Sequence, residues 1–191
     1  MVPGAREGTL QGMSLSDWLQ AQLFERRVVL VLGWLDADLA GRATGALLAL
    51  DARESRPIEL HVDSPGGALE AAFALVDTAG MVRSELRVMC RGQVGGAAVA
   101  VTAAAEHRIA SPHTRFHLAQ PTARFSGSSE EVVSQSRHQQ EQLWKLYGFL
   151  AWRTGRPAEE IAEDMRRGTY LDAREALAYG LVDEIASGPR P

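Results

Sequence analysis

The 191-residue sequence contains one cysteine, Cys90, and one lysine, Lys145. A lone cysteine excludes an intramolecular disulfide and leaves too few thiolates for a zinc knuckle. Excess positive charge is also missing. Twenty basic residues against 24 acidic ones give a formal net charge of -4, which argues against a nucleic-acid footprint. No long apolar run is present: the longest, Gly95 to Ala105, is too short and too rich in alanine and glycine to span a bilayer. The first residues, Met1 to Gly8, have no apolar stretch behind a basic end, so no secretory signal is expected. The reading is therefore of a cytoplasmic protein with no metal, cofactor, membrane or nucleic-acid partner. What is there is ordinary for a globular domain, 46% hydrophobic and 23% charged residues. The length suffices for a core without a covalent or metal staple.

Strand-like and helix-like segments alternate, with no repeat and no linker. Ser14 to Phe24 reads as a short capped helix, and Arg27 to Gly33 is a continuous apolar run ended by glycine, the pattern of a buried strand. Asp36 to Leu50 has helical apolar spacing. Ile58 to Val62 is a second strand, stopped by Asp63-Ser64-Pro65-Gly66-Gly67, and Ala68 to Ala79 is a helix. Leu86 to Cys90 is a third strand, and Ala97 to Ala105 an apolar helix after Gly92-Gln93-Val94-Gly95-Gly96. This order predicts an α/β fold with parallel strands and right-handed crossovers. Two short strands are expected around Ser111-Pro112. Ser128 to Trp152 predicts a helix of roughly 37 Å. Its first half, Glu130 to Gln142, is mostly polar; Leu143, Leu146, Tyr147, Leu150 and Ala151 give its second half an apolar face. Ala158 to Met165 and Asp172 to Ala178 read as short helices.

Two glycine-rich corners stand at the ends of parallel strands, where open α/β sheets place ligands. Neither is a Walker loop or a dinucleotide fingerprint, and each alone is better explained structurally, by a tight turn with close helix approach. In order along the chain come Asp63-Ser64-Pro65-Gly66-Gly67, Gly92-Gln93-Val94-Gly95-Gly96-Ala97-Ala98, Gln120-Pro121, Thr154-Gly155 and Glu175 to Asp183. Together they resemble the proteolytic subunit of the Clp ATP-dependent protease, the ClpP family, from about residue 2 to 186. The resemblance implies a ClpP/crotonase fold of stacked βαβ units with a protruding handle helix. It implies one domain over 1–191, with 1–13 as an N-terminal axial segment and 122–153 as the handle region. It also implies a heptamer or double heptamer, a Clp AAA+ ATPase partner, and a Ser-His-Asp triad with a backbone oxyanion hole.

Carried over residue by residue, the triad is missing. The family's serine follows Gly-Gln-x-x and falls on Gly96; its histidine precedes Gln-Pro and falls on Ala119; its aspartate falls on Gly168. Acyl transfer needs a nucleophile and a base, and glycine and alanine supply neither. The amides of Gly67 and Ala97 remain as an oxyanion-hole remnant. His117 lies two positions before Ala119, too far along a strand to replace it at Gly96. Ser64 is read as part of the turn, Thr102 and Cys90 as buried. The expected protein is thus a pseudo-peptidase in a ring, alone or mixed with an active paralogue. An active peptidase with a displaced nucleophile and a crotonase-like thioester-binding protein are the alternatives.

The resemblance also places Glu59, His61 and Met81 where the family's ATPase-docking pocket carries aromatics. A carboxylate there disfavours an apolar loop through desolvation. In a mixed complex the ATPase is expected on the active partner's ring. Arg124 and Arg137, in and after the segment where the family's rings meet, are the expected ring-ring contact residues.

Overall fold

The computed structural model describes residues 15–187. The chain order is α1 (Leu15–Glu25), β1 (Val28–Leu32), α2 (Ala37–Arg53), β2 (Ile58–Ser64), α3 (Leu69–Met81), β3 (Leu86–Gly95), α4 (Ala98–Ala104), β4 (His107–Ala110), β5 (Arg115–Leu118), α5 (Ser129–Thr154), α6 (Ala158–Arg167), β6 (Thr169–Leu171), α7 (Ala173–Tyr179) and β7 (Glu184–Ile185). The 1–13 axial segment and the Ser14 cap lie outside the described residues.

The alternating α/β architecture is as the sequence predicts. One sheet runs β1-β2-β3-β4-β7, and all of these pairs are parallel. β3 is longer than its apolar run. Leu86 to Cys90 bury one face, and Arg91 to Gly95 continue the strand through a register shift opposite Val62–Ser64. Its first part pairs with β4 and its second with β5. That split carries β5 to the mouth of the sheet, where β6 adds antiparallel to it. β6 and β7 have only 3 and 2 residues, too few for a periodicity to declare them.

One core fills the space between sheet and helices. Ile58, Leu60 and Val62 of β2 point inward, and Glu59, His61 and Asp63 alternate outward. α4 is buried almost all round by its alanines and valines, which lets it sit directly behind β3. Asp36 caps α2 by accepting from the Leu39 amide at 2.8 Å. Ser128 and Glu131 form the capping box that starts α5, and Gly155, at φ 75°, ends it in the left-handed conformation. At 26 residues α5 is about 39 Å long. Leu146, Tyr147 and Leu150 dock it on the core, and the half before Gln142 stays largely exposed. Gln135 and Gln139 of that half donate to the carbonyls of Ser126 and Pro121, each at 3.2 Å, and hold the irregular 121–126 segment against the helix.

Candidate functional site

The first corner is built by β2 as it leaves the sheet. Ser64 is fully buried, and its hydroxyl donates to the Gly66 carbonyl at 3.0 Å, the turn role read from the sequence. The Leu35 amide donates to Gly66 O at 2.9 Å and the Ala68 amide to Leu35 O at 2.8 Å. Gly66 to Ala68 are thereby clamped on Leu35. A Cβ on Gly67 would stand 2.2 Å from Leu35 O, so only glycine fits.

The second corner ends β3. The Asp63 carboxylate reaches across from β2 and accepts from the Gln93 amide at 3.0 Å. It lies against Gly92, whose φ of 51° and lack of a Cβ make room for it. Gly95 abuts Pro65 O, 2.5 Å from where its Cβ would be. Gly96 follows at φ 50°, its amide donating to His117 O at 3.0 Å. A strained turn between strand and helix is the geometry of a nucleophile elbow. A Cβ built at Gly96 would point between Gly66 Cα, 3.4 Å away, and Ala119 O, 3.8 Å away, which is ordinary contact distance.

The three positions assigned to the family's triad therefore converge around β5. Gly96 faces Ala119, which immediately follows β5. Gly168 caps α6 in the left-handed conformation, and its missing Cβ would lie 3.4 Å from His117 Nε2. His117 pairs with Tyr170 across β5 and β6, and their rings stack at 4.0 Å with 2° between planes. The sequence reading missed Tyr170, because the three-residue strand that pairs it with His117 carries no periodic signal. It also gave His117 no place beside Gly168, which only the antiparallel turn-back of β6 creates.

Between the corners the Gly67 and Ala97 amides have no acceptor among the described residues. Ala97 is fully buried and precedes α4 without a side-chain cap. Two of the remaining candidate nucleophiles are out of play. Thr102 and Cys90 are fully buried, 3.5 Å from each other, and burial pushes the Cys90 thiol up to about 12.

Away from this centre, Glu59 and His61 lie on the outward face of β2. Glu59 is exposed, and its carboxylate meets His61 Nε2 at 3.2 Å. Burial is the largest influence on His61 and holds its pKa below the ordinary histidine value, against the pull of Glu59. Met81, the last residue of α3, is 73% exposed. Arg124 and Arg137 are exposed and make no ion pair among the described residues. No helix among the described residues is long and apolar enough to cross a membrane.

Comparison with known proteins gives one consistent result. The Clp protease family profile matches residues 11–189. An ATP-dependent Clp protease proteolytic subunit of Oltmannsiellopsis viridis is 34% identical over 186 residues, covering 93% of this chain and 94% of that one. One from Chlorella vulgaris is 32% identical, covering 93% of this chain and 90% of its own. An ATP-dependent Clp protease proteolytic subunit 2 of Gluconobacter oxydans is 34% identical over 171 residues, covering 87% and 77%.

Proposed function

The chain belongs to the Clp protease family, and from that premise we propose that it is a non-catalytic subunit of a Clp-type ATP-dependent protease assembly. Its fold is the family's α/β ClpP/crotonase type, with α5 as the handle helix. The observation that carries the reading is Gly96: the elbow keeps its backbone, there is room for a side chain, and no side chain is present. Ala119 beside Gly96, and Gly168 beside His117, supply neither a base nor an acid. Ser64 is spent on its turn, and Thr102 and Cys90 are buried, so none of these three stands in as nucleophile. The Gly67 and Ala97 amides by themselves leave a residual acceleration of ~10³–10⁴ over water in a triad enzyme, negligible for amide hydrolysis.

In this reading the chain is one domain, handled by residues 122–153, and assembles into a heptamer or double heptamer, alone or with an active ClpP paralogue in the cytoplasm. Its role is structural or regulatory. The Clp ATPase engages the partner ring, because Glu59 and His61 put a carboxylate and an imidazole where an apolar loop would have to dock. The test is direct. The purified protein is exposed to a fluorophosphonate probe and a fluorogenic peptide, and a tagged copy is isolated from its own cells. The expected result is no label, no turnover and co-purification of a catalytic ClpP chain. A stoichiometric serine adduct coupled to peptide turnover would refute the proposal.

A further inference from the structure

Outside the centre, a cleft of about 400 Å³ opens between the turn that leads into β5 and the start of α7. Its two sides carry opposite charge. Arg115 lines it from β5, with His113 on the same side, and Asp172 and Glu175 line it from α7. All four residues are exposed, and none makes an ion pair among the described residues. The β5–β6 register, continued one pair beyond Phe116 and Leu171, sets Arg115 opposite Asp172. The two do not pair because Asp172 is turned to its own helix. Its Oδ1 accepts from the Arg174 and Glu175 amides at 2.7 and 2.8 Å, and Glu175 Oε2 accepts from the Asp172 amide at 2.8 Å. This capping box fixes both carboxylates and uses one oxygen of each. The second oxygen of each accepts no hydrogen bond among the described residues. Tyr170, 56% exposed, also lines the cleft, its ring held by the stack on His117.

We propose that this cleft binds a dipolar ligand, the α-ammonium and α-carboxylate of a short peptide or a free amino acid. The carboxylate meets the Arg115 guanidinium, whose planar fork suits a bidentate carboxylate. The ammonium meets the free oxygens of Asp172 and Glu175, and an apolar side chain lies on the Tyr170 ring. The charge pattern disfavours simpler ligands. A lone anion such as phosphate gains Arg115 and is repelled by two carboxylates, and a lone cation gains the carboxylates and is repelled by the guanidinium. A neutral apolar molecule strips water from both sides and replaces none of the lost hydrogen bonds. A ligand charged at both ends satisfies both sides at once.

The volume lies within the range of small-molecule sites, while the charged lining departs from their usual apolar character, as a dipolar ligand requires. The site is also largely formed in advance. Asp172 and Glu175 are held by the capping box and Tyr170 by its stack, so Arg115 and His113 are the side chains that lose freedom on binding. A short peptide is the favoured source because such peptides are what a protease assembly releases; that choice alone rests on the function proposed above.

The experiment titrates the full chain with leucyl-leucine, leucine and N-acetyl-leucyl-leucine amide in a calorimeter. Leucyl-leucine binds, and blocking both of its ends lowers affinity by at least about tenfold. Arg115→Gln and Glu175→Gln each weaken leucyl-leucine by about tenfold and leave the blocked peptide unmoved. A glutamine at 175 still serves the capping box, so the start of α7 is kept. Equal affinity for free and blocked peptides, indifference of leucyl-leucine to both substitutions, or no binding of any ligand at roughly 10 mM overturns the proposal. The comparison of free with blocked peptide needs no variant and stands even where a substitution fails to fold. Leucine binding as tightly as leucyl-leucine upholds the dipolar site and assigns it to amino acids. Absence of binding leaves the silent centre as proposed, and fluorophosphonate labelling with leucyl-leucine binding intact removes the silent centre alone.

Discussion

Replacing Gly96 by serine is the perturbation that separates the fold's needs from those of catalysis. At Gly96 the nearest atom to a new Cβ is 3.4 Å away, so packing adds no penalty. The left-handed φ of 50° costs a non-glycine residue about 1–2 kcal/mol, offset by about 0.4–1 kcal/mol from the lower entropy of the unfolded chain. The net is about 0.5–1.5 kcal/mol, or roughly 1–6 °C in Tm for a chain of this size. Gly67→Ala is the contrast. Its Cβ falls 2.2 Å from Leu35 O and 2.4 Å from Leu35 Cβ, so Leu35 must retreat by about 1 Å to restore contact distance. That movement breaks both backbone hydrogen bonds between the corner and Leu35, at about 1 kcal/mol each, and overpacks a fully buried leucine for about 1–3 kcal/mol more. The expected loss is about 3–5 kcal/mol, a Tm lower by roughly 6–20 °C. Thermal melts by circular dichroism compare the two variants, and a fluorophosphonate probe is applied to Gly96→Ser. The serine variant should melt near the parent and stay unlabelled, because no base stands at Ala119. If Gly96→Ser melts as low as Gly67→Ala, the elbow is not open. If it is labelled rapidly, His117 or another group is acting as the base.

Three further outcomes follow from the same geometry. Asp183 accepts from the Arg108 amide and guanidinium, and that arginine holds its carboxyl below the ordinary aspartate range. Its contribution is therefore complete above that range and is lost as pH falls through the lowered folded value. Asp183→Asn should reduce stability at neutral pH by about 1.5–3 kcal/mol and flatten the acid limb of the Tm-against-pH curve; an unchanged limb would assign the acid sensitivity elsewhere. Native protein at pH 8 should leave Cys90 unmodified by iodoacetamide, with alkylation seen by mass spectrometry only after denaturation; stoichiometric labelling of the native chain would contradict the buried thiol. Glu59→Tyr with His61→Tyr should raise the affinity of a homomeric ring for the Clp ATPase in interferometry, since an apolar anchor adds about 1.5–3 kcal/mol where a carboxylate now resists desolvation; tight binding by the parent ring would mean the pocket is built from other residues.

The sequence was most legible where glycine, proline or a cap dictates the backbone. Asp36, Ser128 and Asp172 start helices where their side chains meet the second or third amide beyond, and Gly155 ends the longest one. The two corners were visible as glycine clusters, and the steric reason for Gly67 and Gly95 is a backbone neighbour under 3 Å away. What could not be read was the meeting of distant segments. The continuation of β3 beyond Cys90 depends on Asp63 gripping the Gln93 amide, 30 residues away, rather than on apolar alternation. The His117–Tyr170 stack needs β6, whose three residues are too short to show a period. The outward pairing of Glu59 with His61 was implicit in the two-residue repeat of β2, yet its partial compensation of the carboxylate appears only with the 3.2 Å contact.

The steric environment separates the glycines that the fold requires from those it does not. Gly67, Gly92 and Gly95 are fixed by neighbours that a Cβ would strike at 2.2, 2.5 and 2.5 Å, so the corners that shape the centre are required for the sheet to close. Position 96, where the resemblance places the family's nucleophile, is different in kind. A side chain at 96 would touch its surroundings only at 3.4 Å and beyond, and one at 168 would meet a movable imidazole at 3.4 Å. These are places where a side chain would contribute little to packing. In both, glycine also relieves a left-handed backbone, at φ 50° and 70°, that any other residue would strain. Glycine therefore suits the local backbone at both positions, while the two free amides and the elbow are held by contacts the rest of the fold needs. In the proposed non-catalytic role, such a subunit keeps the shape required to assemble and lacks only the bond-breaking step.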